Sequence, residues 1–565
     1  MSTDNRTPRV TDTPVARPTG EPGPLVAAAC GPVRGEWRTI TTATEHSRYQ
    51  RSAAFYAIPY AEEPTGERRF MGPVPRGRWS EELDATTPGA TPQRGSIFDD
   101  PAIPEPSVPG EDVLNLNVFT PVPGEESANL PVYVWIHGGG WVSGSHNSPW
   151  YDGAAFNRDG VVTVSVAYRL GFDGYGWVDG SDAPYNRAVL DQVTALEWVR
   201  DNIAAFGGNP DDVTVGGQSA GGGNSLVLMS VPRARGLFHR VISESGAVPD
   251  QTAGVTRERS VALAEALGVP PTLEGFRSVS YDEVFESTNR LGGQTVENES
   301  TSDGSDDSAP GGPADGTAGQ PGPDPVEAVR TAVDGLGQSL AFIPTVDGEI
   351  VSAPLAEALA AGQGSDVAVL AGSTTHDFAF AGLAYAESAA GLEPRTLLTD
   401  AGVPAELAEA YLARHPEHAQ APHLLIGDLI SDATFHLPLV EWFEARERAA
   451  TGAARQWAYE FAYACGPMHL AYHCTELPFV FDCLAEPYCE HTLGPGAPQE
   501  LADAAHEAWV RFITTGEPGW PRWGEASTGR RFGDNLTGTL VVQQDVPTFV
   551  VERDLLRLRE ERAAF

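Results

Sequence analysis

Short, unbroken runs of apolar residues alternate along this chain with longer segments in which apolar residues recur every three or four positions. Residues 131–136 are almost entirely apolar, as expected of a strand that is covered on both faces. Residues 189–206 have the spacing of an amphipathic helix, which the following Gly-Gly-Asn-Pro sequence ends. Further strands are predicted at residues 161–168, 213–215, 241–243, 367–371 and 456–463. Buried strands that alternate with helices indicate an α/β fold with a mostly parallel central sheet flanked by helices.

Other segments have weaker patterns. Residues 52–61 belong to a region of short strands and turns, and residues 112–119 alternate with a period of two, which predicts a strand with one solvent-facing side. An aromatic-rich helix is predicted near residues 507–513, followed by a C-terminal tail.

Two segments lack the apolar residues that a core requires. Residues 1–24 are polar and rich in Thr, Pro and Arg, and residues 292–325 consist almost entirely of small, acidic and proline residues. We expect both to be disordered, because they cannot bury enough apolar surface to order themselves. The α/β pattern resumes after the second segment, so residues 25–565 are predicted to form one domain that carries a disordered acidic insertion.

Charge and cysteine content limit the function classes. The 565 residues include 77 acidic and 37 basic side chains, and a net charge of −40 disfavours binding to nucleic acid or to an anionic membrane. Five cysteines without a Cys-x-x-Cys pair indicate small buried thiols, not a disulfide framework or a metal site. The sequence contains no apolar signal-peptide core and no membrane-spanning run, which favours a cytoplasmic protein.

A nucleophile is predicted where the strand at 213–215 leads into the pentapeptide Gly217-Gln218-Ser219-Ala220-Gly221. Apolar helical residues follow this sequence, so it has the strand, sharp turn and helix of a nucleophile elbow. Such an elbow holds the serine in strained backbone geometry at a helix N-terminus, where the helix dipole favours a developing negative charge. Ser219 is therefore the candidate nucleophile.

Ester hydrolysis by a serine also needs a base, and an acid that orients the base. In a nucleophile-elbow hydrolase the chain order is serine, carboxylate and histidine, each after a strand. Ser219, Asp377 and a histidine of the loop after residue 463 occur in this order, and that loop offers both His469 and His473.

Donors for the oxyanion are expected from glycine-rich backbone. His137-Gly138-Gly139-Gly140-Trp141 follows the strand at 131–136, and the predicted donors are the Gly139 and Gly140 amides together with the Ala220 amide beside the nucleophile. Trp141 has two interpretations, a pocket-lining residue or a core residue, and we give them equal weight. This chemistry requires no metal or organic cofactor.

Several long motifs, in order, resemble those of the type B carboxylesterases, which include bacterial para-nitrobenzyl esterases, mammalian carboxylesterases and cholinesterases. The resemblance implies an α/β-hydrolase fold in which large helical insertions form the pocket. It also implies that His473, not His469, is the base, because the sequence from His473 matches the family's histidine block. The matching segments are residues 55–70, 111–118, 137–141, 198–208, 217–221, 237–240, 245–246 and 473–481.

Departures from the family pattern refine the expectation. Gln218 stands where the family usually has Glu, and Asp377 aligns with a triad acid that is usually Glu. Thr91 and Val113 replace the cysteine pair of secreted relatives, so that disulfide cannot form here. Residues 93–111 contain no tryptophan, whereas choline-binding relatives carry one there, which disfavours a cholinesterase.

The leading hypothesis is a serine carboxylesterase that hydrolyses uncharged, small-molecule esters through an acyl-enzyme. A carbamate or amide hydrolase, or an esterase that tailors a secondary metabolite, would use the same residues. A non-catalytic binding protein of the same fold is a further alternative, which the presence of Ser219, His473 and an acid disfavours. The sequence does not specify the oligomeric state.

Overall fold

The computed structural model describes residues 16–92, 101–248, 250–297, 323–335, 340–419, 421–486, 488–524, 526–535 and 538–563. The strands are β1 Ala16–Pro18, β2 Leu25–Ala28, β3 Gly31–Arg34, β4 Glu36–Ile40, β5 Arg51–Pro59, β6 Leu83–Asp84, β7 Asn115–Thr120, β8 Leu130–Ile136, β9 Val162–Val166, β10 Gly208–Gln218, β11 Arg240–Glu244, β12 Gln251–Thr252, β13 Thr345–Val346, β14 Ala368–Thr374, β15 Gln456–Phe461, β16 Thr528–Asp534 and β17 Val541–Pro547.

The helices occupy the connections between these strands. They are α1 Ala154–Arg158, α2 Gly171–Tyr175, α3 Arg187–Asn202, α4 Ala220–Val227, α5 Ala253–Leu267, α6 Leu273–Arg277, α7 Tyr281–Glu297, α8 Pro325–Val333, α9 Leu355–Ala360, α10 Pro394–Asp400, α11 Ala405–Arg414, α12 Pro422–Ser431, α13 Leu437–Ala449, α14 Leu477–Val480, α15 Cys489–Leu493, α16 Gln499–Thr515 and α17 Val550–Ala563. A π-helical turn, Asp432–His436, joins α12 to α13.

Within the described residues, twelve strands form one sheet in the order β1-β4-β5-β7-β9-β8-β10-β11-β14-β15-β16-β17. The pairs from β9 to β16 are parallel, and antiparallel pairs lie at both edges. Because the central strands are parallel, their carboxyl ends meet at one edge of the sheet. The mostly parallel sheet with flanking helices confirms the predicted fold class.

The central strands are covered on both faces. On β8, Val132 and Val134 belong to one apolar cluster, whereas Tyr133 and Trp135 belong to another. Successive side chains of a strand point to opposite faces, so each face of the sheet packs against its own layer of helices. Helix α4 packs against β10 and β11 on one face, and α16 contacts β8 on the other. None of the described helices has both the length and the apolar composition needed to cross a membrane.

The prediction that residues 1–24 are disordered is wrong for residues 16–18. Ala16–Pro18 forms β1 and pairs with β4, and Ala16 is buried, because the sheet edge supplies hydrogen-bond partners to a segment with few apolar residues of its own. The predicted insertion is also too wide, since α7 continues to Glu297 and the Asp324 carboxylate caps α8. Residues 1–15 and 298–322 lie outside the described residues.

Two further expectations need correction. All six residues of β7 are buried, although the alternating pattern predicted one wet face. The polar positions of β7 are satisfied internally: the Asn115 side chain donates to the Ala90 carbonyl and the Asn117 side chain to Asn147. Strands β16 and β17 lie in the predicted C-terminal tail. Their sequences are rich in Arg, Asp and Gln, so the apolar pattern did not indicate strands there.

Candidate active site

The segment around Ser219 is a strand, sharp turn and helix. Ser219 lies between β10 and α4 with φ 56° and ψ −125°, a strained conformation for a residue other than glycine. Its N–H donates to the Glu244 carbonyl at the end of β11 (2.8 Å), and its carbonyl accepts from Gly223 (2.9 Å). These two bonds hold the serine at the N-terminus of α4, and its side chain is not fully buried.

Glycine is required where this turn meets β8. A Cβ atom on Gly221 would lie 2.0 Å from the Ile136 carbonyl oxygen and 2.7 Å from that of His137. Both obstacles are backbone atoms of a buried strand end, so a side chain at this position would force the strand and the helix apart. The loop after β8 is therefore packed directly against the turn that carries Ser219.

The loop after β8 brings backbone amides to the same place. Gly139 has φ 110°, and its carbonyl accepts from the Ser143 amide (2.9 Å), which closes the loop on itself. Among the backbone hydrogen bonds of the described loops, none is donated by Gly139, Gly140 or Ala220. The N–H groups of Gly139, Gly140 and Ala220 thus make no bond of this kind in the described loops.

His137 supports this loop from below. Its ring stacks on Tyr168 with 4.6 Å between the ring centres, and the Tyr168 hydroxyl donates to the His137 carbonyl (2.7 Å). Complete burial lowers the pKa of His137 to about 4, so the ring is neutral at physiological pH.

Trp141 is a core residue by its surroundings. Its side chain is 3% exposed, and its indole N–H donates to the side-chain oxygen Oδ1 of Asn224 on α4 (3.0 Å). Of the two interpretations, its burial and this bond favour core packing over pocket lining.

Asp377 and His473 meet beyond the ends of β14 and β15. His473 Nδ1 lies 2.7 Å from Asp377 Oδ1, and the His473 amide donates to the Asp377 carbonyl (3.1 Å). Burial alone would raise the pKa of Asp377, but His436 and His473 on either side hold it well below the usual value. Asp377 is therefore ionised and orients His473 through Nδ1.

The other nitrogen of His473 faces the residue before the serine. His473 Nε2 lies 3.0 Å from Gln218 Nε2, and no hydrogen bond joins it to Ser219 Oγ in the described part of the chain. The Gln218 amide can donate to Nε2 when the ring proton lies on Nδ1, where Asp377 accepts it. Two contacts thus connect Asp377 to His473 and His473 to Gln218, the residue before Ser219. The contact with Gln218 is made at Nε2, the nitrogen that would accept the serine proton.

Aromatic rings surround this histidine. The Phe378 and Phe435 ring centres lie 4.9 Å and 5.0 Å from that of His473, and Phe380 lies 5.3 Å from Phe378. Phe435 belongs to the π-helical turn, so a helical insertion contributes part of the site wall.

Two buried carboxyl groups lie nearby. Glu244 accepts a hydrogen bond from the Trp509 indole (2.8 Å), and burial raises its pKa to about 8. Burial and the proximity of Glu244 raise the pKa of Glu476 well above the usual value. Glu476 follows His473 by three residues but makes no hydrogen bond to it in the described structure, whereas Asp377 does.

Sequence reasoning missed His436, which lies on the far side of Asp377, 3.7 Å from Asp377 Oδ2. The available signal was an Asp-x-x-x-His spacing at Asp432 and His436, which brings two helical side chains together. It also missed Phe435 as a neighbour of His473. No local pattern linked these residues to a loop more than fifty positions away.

The described residues include two groups of side chains of the kind that bind metals, and within each group the ligand atoms lie within 4.8 Å of one another. One group consists of His376, His415 and Asp428, and the other of Asp432, His436 and Glu552. In both groups a carboxylate accepts a hydrogen bond from a histidine, at 2.7 Å from His418 to Asp428 and from His436 to Asp432. We therefore assign no metal to either group. All five cysteines are free thiols, and four are buried.

Comparison with known proteins supplies the identity. The model of the carboxylesterase family matches residues 22–532. The para-nitrobenzyl esterase of Bacillus subtilis (strain 168) is 31% identical over 482 residues, which cover 83% of this chain and 88% of that protein. The phenmedipham hydrolase of Pseudarthrobacter oxydans is 30% identical over 488 residues, which cover 82% and 86%.

Solved structures show the same similarity. A thermophilic para-nitrobenzyl esterase aligns with a TM-score of 0.69 at 27% identity, over 94% of this chain and 99% of that one. A Geobacillus stearothermophilus carboxylesterase aligns with a TM-score of 0.70 at 26% identity and the same coverage. The chain therefore belongs to the carboxylesterase family and is a carboxylic-ester hydrolase with the α/β-hydrolase fold.

Proposed function

We propose that this carboxylesterase cleaves uncharged esters through an acyl-enzyme, with Ser219 as the nucleophile, His473 as general base and acid, and Asp377 as the residue that orients His473. The observation that carries the proposal is the bonded succession Asp377, His473, Gln218, which ends at the residue preceding Ser219. The strained serine turn and the donor-rich loop after β8 support it.

The first half-reaction begins with transfer of the Ser219 proton to His473 Nε2. The serine oxygen bonds to the ester carbonyl carbon, and the carbonyl electron pair moves onto its oxygen to form a tetrahedral oxyanion. When that pair returns, the bond to the alcohol breaks, and the alcohol leaves with the proton from His473. Water then repeats the sequence on the acyl-enzyme, releasing the carboxylic acid and restoring Ser219.

His473 exchanges partners in this scheme. In the free enzyme the Gln218 amide donates to Nε2. In the proposed reaction the Ser219 hydroxyl replaces the amide as the partner of this nitrogen when substrate binds. Catalytic hydrogen bonds commonly shorten only when substrate is bound.

The Gly139, Gly140 and Ala220 amides are the proposed oxyanion donors. They have no partner among the loop hydrogen bonds described above, and Ala220 is the first residue of α4. The helix dipole and the three N–H groups then act on the same developing charge.

The choice of uncharged substrates rests on the lining of the site. Phe378 and Phe435 pack against His473, and position 218, directly before the serine, carries an amide where a carboxylate would attract a cationic alcohol group. A cytoplasmic location remains our proposal from the sequence, and the five free thiols are compatible with a reducing compartment.

The test compares turnover of para-nitrophenyl acetate and butyrate by the wild type and by Ser219→Ala. We expect a loss of about 10⁵-fold in kcat, with a burst of para-nitrophenol in the wild type alone. Ser230→Ala is the matched control, because its hydroxyl bonds only to the Val227 carbonyl, and its rate should stay within about twofold of wild type. Equal rates for the wild type and Ser219→Ala would refute the proposal.

Substrate charge is tested separately. We expect a neutral alkyl ester to be hydrolysed with a higher kcat/KM than a quaternary-ammonium ester of equal length. A preference for the cationic ester in the wild type would contradict the assignment of uncharged substrates.

A further inference from the structure

The carboxylate of Asp377 has an imidazole on each side. His473 Nδ1 lies 2.7 Å from Oδ1, and His436 Nε2 lies 3.7 Å from Oδ2. His436 is 5% exposed and belongs to the π-helical turn between α12 and α13. The preceding residue in this turn, Phe435, packs against the His473 ring, so one turn contacts both the acid and the base.

Both nitrogens of His436 face hydrogen-bond acceptors. Nδ1 lies 2.7 Å from Asp432 Oδ1, and Nε2 lies 3.2 Å from the Thr374 carbonyl oxygen as well as near Asp377. The Tyr411 hydroxyl donates to the other Asp432 oxygen (2.7 Å), so both oxygens of Asp432 act as acceptors, as in an ionised carboxylate. A neutral imidazole has only one N–H, so this arrangement is satisfied only by the doubly protonated ring.

The surrounding charges agree with a cationic His436. Burial alone would lower the pKa of His436, but Asp377 and Asp432 outweigh it and raise the pKa well above its usual value. The carboxylates around His436 are Asp377 after β14, Asp432 on its own turn, Glu460 on β15 and Glu552 on α17. Tyr411 and Arg414 on α11 and Arg531 on β16 contact these carboxylates.

A charge balance follows from the ion pairs of this cluster. Arg414 lies 3.1 Å from Glu460 and 3.5 Å from Glu552, and Arg531 lies 3.7 Å from Glu460 and 3.4 Å from Asp534. The two cations therefore offset the two buried carboxylates, Glu460 and Glu552, whereas Asp534 is partly exposed and its charge is screened by solvent. Asp377 and Asp432 remain, with His436 between them. A protonated His436 leaves one net negative charge to face His473, and its loss would leave two carboxylates buried together.

We propose that His436 is a positioning residue: a permanently protonated imidazole that places its charge beside the second oxygen of Asp377 and offsets Asp432, so that a single negative charge faces His473. This role rests on the proposed function of Asp377. During the reaction His473 gains a proton, and the ionised, fixed Asp377 stabilises that cation. His436 does not touch the substrate and acts only through Asp377.

The experiment measures the pH dependence of kcat/KM for para-nitrophenyl butyrate. In His436→Gln we expect kcat to fall about ten- to a hundredfold because Asp377 is less well held. The midpoint of the acidic limb should rise by about one pH unit, because loss of the cation favours the protonated form of His473. In the double variant His436→Gln/Asp432→Asn the net charge is restored, and the midpoint should return to within about 0.3 pH unit of wild type.

His506→Gln is the matched control. His506 is also buried with an acceptor at each nitrogen, the Val480 carbonyl at 2.7 Å and Asp159 at 3.1 Å, but neither partner is bonded to Asp377 or His473. Its loss should lower stability and leave the limb midpoint unchanged. An unchanged midpoint in His436→Gln, or a double variant displaced as far as the single, would overturn the proposal.

The wild type supplies a test that requires no stable variant. Nitrogen-15 spectra of histidine-labelled protein should show both His436 nitrogens protonated and unchanged between about pH 5 and 8, the range in which an ordinary histidine titrates. Titration of His436 in that range would refute the inference. Activity retained by Ser219→Ala would instead refute the proposed function, so the two failures are distinct.

Discussion

In the proposed active site, the nucleophile side and the acid side are built by different means. Around Ser219 the structure depends on backbone fit, with Gly221 against the end of β8 and backbone hydrogen bonds that fix the strained turn. Around Asp377 it depends on polar side chains from distant elements, His473 after β15 and His436 from the π-helical turn.

The difference has a practical meaning. Backbone fit is sensitive to volume and indifferent to charge, whereas the acid side is sensitive to charge at constant volume. A change of size should therefore damage the first side, and an isosteric change of charge should damage the second. Variants that reverse this pattern would break the comparison.

The largest effect is expected from Asp377→Asn, which alters charge without altering shape. The amide cannot stabilise a protonated His473 and favours the wrong tautomer, so kcat should fall by about 10⁴-fold with the fold intact. Steady-state kinetics with circular dichroism as the folding check measure this.

Glu476→Gln is the control for Asp377→Asn, because Glu476 is the other carboxyl group near His473 in the chain. If Glu476→Gln lost more activity than Asp377→Asn, the acid would have to be reassigned. Its kcat is expected to stay within about tenfold of wild type, since it makes no bond to His473 in the described structure.

Gly221→Ala tests volume on the nucleophile side. The added methyl group would sit 2.0 Å from the Ile136 carbonyl oxygen, and the free energy of unfolding should fall by about 3 kcal/mol. Urea unfolding measures this loss.

Gly254→Ala, on α5, is its control. A Cβ atom at this position would have the Thr252 hydroxyl as its nearest neighbour, at 3.8 Å. This variant should be as stable as wild type or about 0.8 kcal/mol more stable through helix propensity. Equal stability of Gly221→Ala and wild type would show that backbone fit does not build the turn.

The buried charges predict a pH dependence of stability. The pKa of Asp377 is lowered in the folded protein, so its contribution is present above the unfolded pKa and is lost as the pH falls through the folded value. The pKa of His436 is raised, so its contribution is complete below its unfolded pKa and declines as the pH rises towards the folded value. Together they stabilise most between about pH 4 and 6.5.

This window is measured as the difference in unfolding free energy between the wild type and His436→Gln. The wild type's advantage should shrink by about 2 kcal/mol from pH 6.5 to 8.5, close to the limit of 1.4 kcal/mol per pH unit for one proton. A difference that stayed constant, or grew with pH, would show that His436 is not protonated in the folded protein.

The smallest effect is expected from Gln218→Glu, which places a carboxylate at His473 Nε2. The acidic limb of kcat/KM should move up by about one pH unit, and the rate above the limb should stay within about tenfold of wild type. Gln218→Leu, which removes the bond without adding charge, should leave the limb in place. A limb that moved equally in both variants would assign the effect to packing.

The nucleophile side could be predicted from the sequence because its determinants are adjacent in the chain. One continuous segment contains the β10 strand, Ser219, the flanking glycines and the start of α4. The loop after β8 is recognisable in the sequence by its three consecutive glycines. Close contact between these two segments follows from glycine alone.

The acid side could be predicted only in part. Asp377 and His473 follow strands, but Asp432 and His436 lie on a π-helical turn, whose wider geometry no amphipathic pattern indicates. The burial of both faces of β7 could not be predicted either. Asn115 and Asn117 look like solvent-facing positions in the sequence, and their hydrogen-bond partners lie far away in the chain. Long-range hydrogen bonds reverse what local polarity suggests.

The burial of the thiols has a use beyond the reaction itself. Burial raises the pKa of Cys30 to about 11 and that of Cys465 to about 12, and it also raises the pKa values of Cys474 and Cys483. Maleimide reagents react with the thiolate form of cysteine, so these thiols should react slowly at neutral pH. A single cysteine engineered onto the exposed surface of α5 could then carry a fluorophore or spin label while the natural cysteines are left in place.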